Sequence, residues 1–252
     1  MAVVVPARNE AVLLPATLRA LHRAKGRLGQ THPHISVSIT VVLDCTTDIS
    51  QELLACHLDV SSISVEAGRV GTARNAGVAA ACAAQPLPLA QLWIANTDAD
   101  TQVPEHWLQR QYELASQGVE VMAGTVEPSG SHLDPALLRR WFAHHDLREG
   151  HGHVHGANLG IRADALRRLG GFAEQGLHED RDLVAAARMQ GMKVIATDSC
   201  RVITSARLQG RVQGGFADFL ARLEGNYRLE PAPPPQDSGL SPHSPALHTP
   251  NP

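Results

Sequence analysis

Apolar residues along this chain fall into two alternating rhythms. "AVVV" at 2–5 is a continuous apolar run of strand length, and after a polar turn "EAVLLPATLRALHRAK" repeats its apolar positions at three- and four-residue steps, as a helix with one buried face does. "SVSITVVLD" then reads as a strand, "DISQELLACHL" as a helix, "SISVEA" as a strand, "GTARNAGVAAACAA" as a small-residue helix and "LWIAN" as a fourth strand. This alternation predicts an α/β fold with a mostly parallel, Rossmann-like sheet flanked by helices. Further on come a helix near 105–117, a strand "VEVMAGTVEP", a helix near 134–147 and a long loop "REGHGHVHGANLG". Helices in "RADALRRLGGF" and "EDRDLVAAARMQG" and a strand "KVIATD" follow. From Glu230 onward Pro and Ser displace large apolar residues, so 229–252 is expected to be a disordered tail unable to offset its ordering entropy.

The length of 252 residues suits one large domain over 1–228, with a nucleotide-domain-like first half at 1–104 and a second half at 105–228. A formal charge of -3 with 14 neutral histidines gives no basic field, which argues against nucleic acid as a partner while permitting a local cationic pocket. Cys45, Cys56, Cys82 and Cys200 are far apart, so they read as reduced cytosolic thiols rather than a zinc site or a disulfide framework. "MAVVVP" is too short for the apolar core of a signal peptide, and no apolar run reaches the roughly 18 residues of a transmembrane segment. A soluble, cytoplasmic protein is expected.

Polar chemistry gathers where the strands end. The fourth strand runs out into Asp98 and Asp100, one residue apart, and ligands of open α/β sheets bind beyond the carboxyl ends of strands. Such a pair is placed to hold a divalent cation against phosphate oxygens. A plain turn, with one aspartate capping a helix that starts near Pro104, is the alternative. Four other stretches accompany it in order: "VVPARNE", "VVLDCTTD", "GTARNAG", and "GANLGIRADALRRLGGF" with "HEDRDL". Together, over roughly 2–205, they resemble the family 2 glycosyltransferases of the GT-A fold, the strength lying in order and spacing rather than in any one motif.

The resemblance implies a glycosyltransferase that moves a single sugar from a nucleoside-diphosphate sugar to a small-molecule or lipid-linked acceptor, inverting and dependent on Mg²⁺ or Mn²⁺. By analogy Asp100 touches the metal, with Asp98 nearer the ribose or a metal-bound water. Pro6, Ala7, Arg8 and Glu10 resemble the loop beside base and ribose, Asp44 the acid that accepts a hydrogen bond from the base, and Arg74 the cation facing the nucleotide. Gly71 would permit close approach at a helix N-terminus, whereas Arg69 reads as a solvated surface residue. Gly156, Ala157 and Asn158 resemble the loop under donor sugar and acceptor, and Glu179-Asp180, with Asp182 two positions on, the acidic pair that supplies the catalytic base, Asp180 being favoured. Arg207 and Arg211 stand where some relatives cover the diphosphate with a basic segment.

Three features stand against or beside this reading. A nucleotidyltransferase would share the architecture, but "PARNEAVLLP" lacks its glycine-rich, basic phosphate loop. A catalytically silent nucleotide-binding module is the other alternative, and the intact pair at 179 and 180 tells against it. Finally, His144, His145, His151, His153 and His155 have the short spacing of a transition-metal site, although a glycine-rich solvated loop is the favoured reading of the composition.

Overall fold

The computed structural model describes residues 1–129, 135–145, 147–174 and 178–206. Arg207, Arg211 and the tail expected from 229 lie outside the described residues.

The first half alternates as its periodicity predicts. Strand β1 (Ala2–Ala7) leads to helix α1 (Leu14–Thr31), β2 (Ser38–Asp44) to α2 (Ser50–Ala55), and β3 (Val60–Val65) to α3 (Val70–Ala84), before β4 (Trp93–Asn96). Helix α1 starts later than the pattern alone suggests, because Pro15 has no N–H to give and sits in the first turn. Its buried positions Leu14, Leu18, Leu21, Ala24 and Leu28 form one stripe. Helix α3 lies close on the sheet: a Cβ at Gly77 would meet the side chains of Val4 and Val42. The small-residue composition of this helix therefore serves packing.

The second half holds β5 (Thr101–Gln102), α4 (Trp107–Ser116), β6 (Val121–Ser129), α5 (Pro135–His144), β7 (Leu159–Arg162), α6 (Ala163–Arg168), α7 (Glu179–Met189) and β8 (Val194–Ser205). Among the described residues all strands join one eight-stranded sheet in the order β3-β2-β1-β4-β7-β6-β8-β5. Strands β1 to β4 pair in parallel, as do β6 and β8, while β7 runs antiparallel between β4 and β6, and β5 antiparallel to β8. Two reversals restore the original direction, so β1, β2, β4, β6 and β8 all end at one edge. The pattern predicts neither β5 nor β7: β5 has two residues, in the turn after the fourth strand, and β7 begins in the expected loop, directly after the GAN turn with a glycine at its second position, and ends at the expected start of a helix. Apolar layers cover both faces, one centred on α1, α4 and α5 and the other on α3, α6 and α7. No described helix is long and apolar enough to cross a membrane.

Candidate active site

The loops after β1 and β2 are stitched together at the carboxyl edge. Asn9 takes a left-handed conformation (φ 53°), and its Oδ1 accepts the N–H groups of Thr47 (2.7 Å) and Asp48 (3.2 Å). Asp48 answers with Oδ2 on the N–H of Ala11 (2.9 Å) and Oδ1 on that of Ser50 (3.0 Å), at the head of α2. Asn9 was missed in the sequence; asparagine tolerates φ > 0 better than most residues, and its place just past a strand was the available signal. Between these loops Ala7 and Glu10 are buried, Pro6 is half-buried and Arg8 is exposed. Asp44, also buried, ends β2 with Oδ1 accepting the N–H groups of Ala67 and Gly68, both at 2.8 Å. Asp44 thereby shapes the turn into α3 at the place where the family analogy sets the base.

Arg74 is the hub of the site. Only 2% exposed, it pairs through Nη2 with Asp98 Oδ1 (2.7 Å) and through Nη1 with Glu179 Oε1, while its guanidinium carbon lies 5.7 Å from the ring centre of Phe172. Burial opposes its charge, and the carboxylates of Asp98 and Glu179 outweigh that, holding it protonated above the usual arginine range. The same burial raises the Glu179 carboxyl, with Arg74 opposing and Asp180 and Asp98 adding to the rise. Arg74 thus sits beneath the site and orients two carboxylates, rather than projecting from the rim. Asn75, its neighbour on α3, clasps Phe172 from both sides, donating to its carbonyl and accepting its N–H, both at 2.9 Å. The preceding Gly170 and Gly171 both have φ near +85°, which is why "GGF" requires glycines there. Gly71 packs against the backbone of Ala173, so its missing Cβ makes room for this chain's own carbonyl.

Gly156, Ala157 and Asn158 form a single tight turn ahead of β7. A Cβ on Gly156 would collide with the Arg74 guanidinium, and the Gly156 N–H donates to Asp180 Oδ2 at 2.6 Å. Asn158 is fully buried: its Oδ1 accepts Trp107 Nε1–H (2.9 Å), and its Nδ2 donates to the carbonyls of Thr125 (2.8 Å) and Cys200 (3.0 Å). It anchors the turn to β6 and β8. At the head of α7, Glu179 is buried against Arg74, whereas Asp180 is half-buried, with Oδ1 accepting the N–H of Arg181 at 2.7 Å. Asp182 is exposed in the same first turn, and Arg69, exposed at the head of α3, donates to the Glu174 carbonyl.

Asp98 and Asp100 occupy the turn between β4 and β5. This turn is braced from below by Thr17 of α1, whose hydroxyl donates to the Ala99 carbonyl (2.8 Å), and from the side by β8, where the Ser205 N–H donates to the Asp100 carbonyl (3.1 Å). Neither aspartate begins α4, which starts seven residues after Asp100, so the helix-cap alternative does not describe this turn. Asp98 keeps about a third of its side chain open to solvent and Asp100 is half-buried. Two hard oxygen-bearing side chains at a braced strand end are the donor type that Mg²⁺ or Mn²⁺ takes.

Comparison with solved structures returns the same fold. S. aureus TarS (residues 1–349) aligns at 16% identity over 81% of this chain and 60% of that one, with a TM-score of 0.58. The mannosyltransferase PcManGT of Pyrobaculum calidifontis, solved with GDP-Man and Mn²⁺, aligns at 19% identity over 93% of this chain and 65% of that one, TM-score 0.58. GalNAc-T7, solved with UDP, GalNAc and Mn²⁺, aligns at 16% identity over 88% and 47%, TM-score 0.59. The chain therefore spans less than two thirds of each of these structures. No curated protein sequence matches it. The sequence pattern of "Glycosyl transferase family 2" matches residues 2–170, two thirds of the chain, and with the GT-A architecture beneath that match the chain belongs to glycosyl transferase family 2.

Proposed function

We propose that this chain is an inverting, metal-dependent glycosyltransferase that moves one sugar from a nucleoside-diphosphate donor to a hydroxyl of a small or lipid-linked acceptor. The observation that carries the reading is the Arg74 hub, which ties the Asp-x-Asp turn to the Glu-Asp pair across the sheet edge. One group faces the donor and the other the acceptor, and a single buried cation fixes their relation. Asp98 and Asp100 would hold Mg²⁺ or Mn²⁺, whose charge neutralises the diphosphate in binding and as it leaves. That PcManGT and GalNAc-T7 were solved with Mn²⁺ supports this assignment. Pro6, Ala7, Arg8, Glu10 and Asp44 line the edge for base and ribose, and Arg207 and Arg211 are proposed to cover the diphosphate.

Asp180 is the better base of the acidic pair. Glu179 is committed to Arg74, while Asp180 is half-buried and each of its oxygens accepts one backbone N–H, which leaves further acceptor capacity. The acceptor oxygen attacks the anomeric carbon as its proton passes to the Asp180 carboxylate, and the bond to the diphosphate breaks with its electron pair leaving on the phosphate oxygen. Gly156 and Arg181 hold the carboxylate's plane during this transfer.

Asp180→Asn keeps the shape of the side chain but cannot take the proton, so transfer should fall by roughly two to four orders of magnitude with donor affinity nearly unchanged. Glu179→Gln should instead disturb donor and acceptor terms together, because it loosens Arg74 and hence Asp98. Transfer rate and calorimetric donor affinity, measured on both variants with a competent acceptor, decide the matter. Full transfer in both would remove the carboxylate-base mechanism.

A further inference from the structure

Three histidine rings meet where α5 gives way to the segment ahead of Gly156. One ring nitrogen from each of His145, His153 and His155 lies within 4.8 Å of those of the other two. The rings of His145 and His153 stack with centroids 4.6 Å apart, and the ring of His155 stands 6.3 Å and 6.2 Å from them. His155 is extended (φ -140°, ψ 123°), and in extended chain residues two apart share a side, which brings His153 and His155 to one face. The segment is fastened to β8, although Glu149, Gly150 and Gly152 are exposed to solvent. Glu149 Oε1 accepts from Thr197 Oγ1 (2.8 Å) and the Asp198 N–H (3.1 Å), the Gly150 N–H donates to the Ala196 carbonyl (2.9 Å), and His151 is buried.

The rings also present the right atoms. His145 Nδ1 lies 3.1 Å from the Trp141 carbonyl, which can only accept, so the proton belongs on Nδ1 and Nε2 carries the lone pair. A backbone carbonyl on the far nitrogen is the usual orienting partner of a metal-bound histidine. His155 Nε2 is buried with no hydrogen-bond partner among the described residues.

We propose that His145, His153 and His155 form a zinc-class transition-metal site, separate from the hard-cation pair Asp98 and Asp100. Imidazole donors favour Zn²⁺ over Mg²⁺ or Mn²⁺, which take oxygen. Tetrahedral zinc, with bonds of roughly 2.0–2.1 Å, needs nitrogens about 3.3 Å apart, so binding would draw these nitrogens together from within the 4.8 Å that now bounds them. Three protein ligands leave a fourth position for solvent or an added group. The ion would clamp the end of α5 to the segment that runs into Gly156, the residue whose N–H supports Asp180. Binding there does not depend on Asp180 being the base.

The test is calorimetric titration of the full chain with Zn²⁺ in excess Mg²⁺, which occupies the carboxylate pair. One equivalent should bind, with affinity lowered at least tenfold in His153→Gln and in His155→Gln and unchanged in Asp100→Ala and His32→Ala, the last controlling for surface histidines. Co²⁺ in the unmodified chain should give the strong visible absorption of tetrahedral coordination, a readout that needs no variant to fold. A tight equivalent surviving both His variants, binding no tighter than about 100 μM in the unmodified chain, or a pale octahedral Co²⁺ spectrum would each overturn the site.

Discussion

A single arginine decides how the candidate site is built. The guanidinium of Arg74 has no freedom to yield, because Asp98 and Glu179 hold two of its nitrogens and Phe172 lies against it. Gly156→Ala places a methyl group where the guanidinium stands, so one ion pair must open in a buried place. Overpacking of this kind costs roughly 1–3 kcal/mol. Denaturant unfolding should show that loss, and transfer should fall with it, since Asp180 hangs on the same backbone N–H. Gly26→Ala is the control: its position in α1 is open, and helix propensity alone should make it neutral or stabilising by up to about 1 kcal/mol. Equal stability and activity of Gly156→Ala and the unmodified chain would dismiss Arg74 as a rigid hub. The residue types were legible in the sequence, since "GTARNAG", "TDAD", "GAN" and "HEDRD" are the stretches that converge. Their division of labour was not. That Arg74 and Asn158 work from beneath the surface follows from burial against Glu179 and Trp107, each over fifty positions away, which no local pattern records.

At the level of elements the first four strands and their helices could be read directly, because the parallel strands β1, β2 and β4, buried on both faces, are apolar runs, the edge strand β3 interleaves serine with apolar residues, and a crossover helix has a 3.6-residue period. Strand β7 escaped because only four residues pair, and the pairing partners β4 and β6 that define it lie far off in sequence. Its outer end is held by a polar clamp. Glu120 Oε1 accepts from Arg162 (3.0 Å) and Arg168 (2.6 Å), and Oε2 accepts the N–H of Lys193 at the entry to β8 (3.0 Å). The Lys193 N–H and the two arginines hold Glu120 below the ordinary carboxylate range, and Arg162 does the same for Asp164. A depressed carboxylate contributes stability that is present above its unfolded pKa and is lost as pH falls through its folded one. Melting temperature should therefore decline from about pH 4.5 downward. Glu120→Gln should lower it at neutral pH, by the equivalent of about 1 kcal/mol, and flatten that acid limb. An unchanged acid limb in Glu120→Gln would show that the clamp adds nothing to β6, β7 and β8.

Across the whole molecule, one sheet carries both halves of the candidate site. Asp98 and Arg74 come from the parallel first half, Gly156 and the Glu179-Asp180 pair from the mixed second half, and they meet because two strand reversals return β6 and β8 to the direction of β1. A ligand that engages the Asp-x-Asp turn therefore stabilises the native arrangement against unfolding of the sheet as a unit, by mass action. A nucleoside diphosphate at a hundredfold excess over its Kd, with Mn²⁺ present, should add about 2.7 kcal/mol. For a chain of this size that corresponds to a rise in melting temperature of about 5–10 °C. Chelation should abolish most of the rise, because two phosphates left without a counter-charge bind poorly in a partly desolvated cleft. Asp100→Ala should behave like chelation, and Asp180→Asn should keep the full rise, since the proposed mechanism sets Asp180 on the acceptor side. Scanning nucleoside diphosphates of different bases in this assay would also identify the base from the largest shift. A rise of equal size in chelator or in Asp100→Ala would mean that the carboxylates after β4 are not the metal's holders, whatever sugar is transferred.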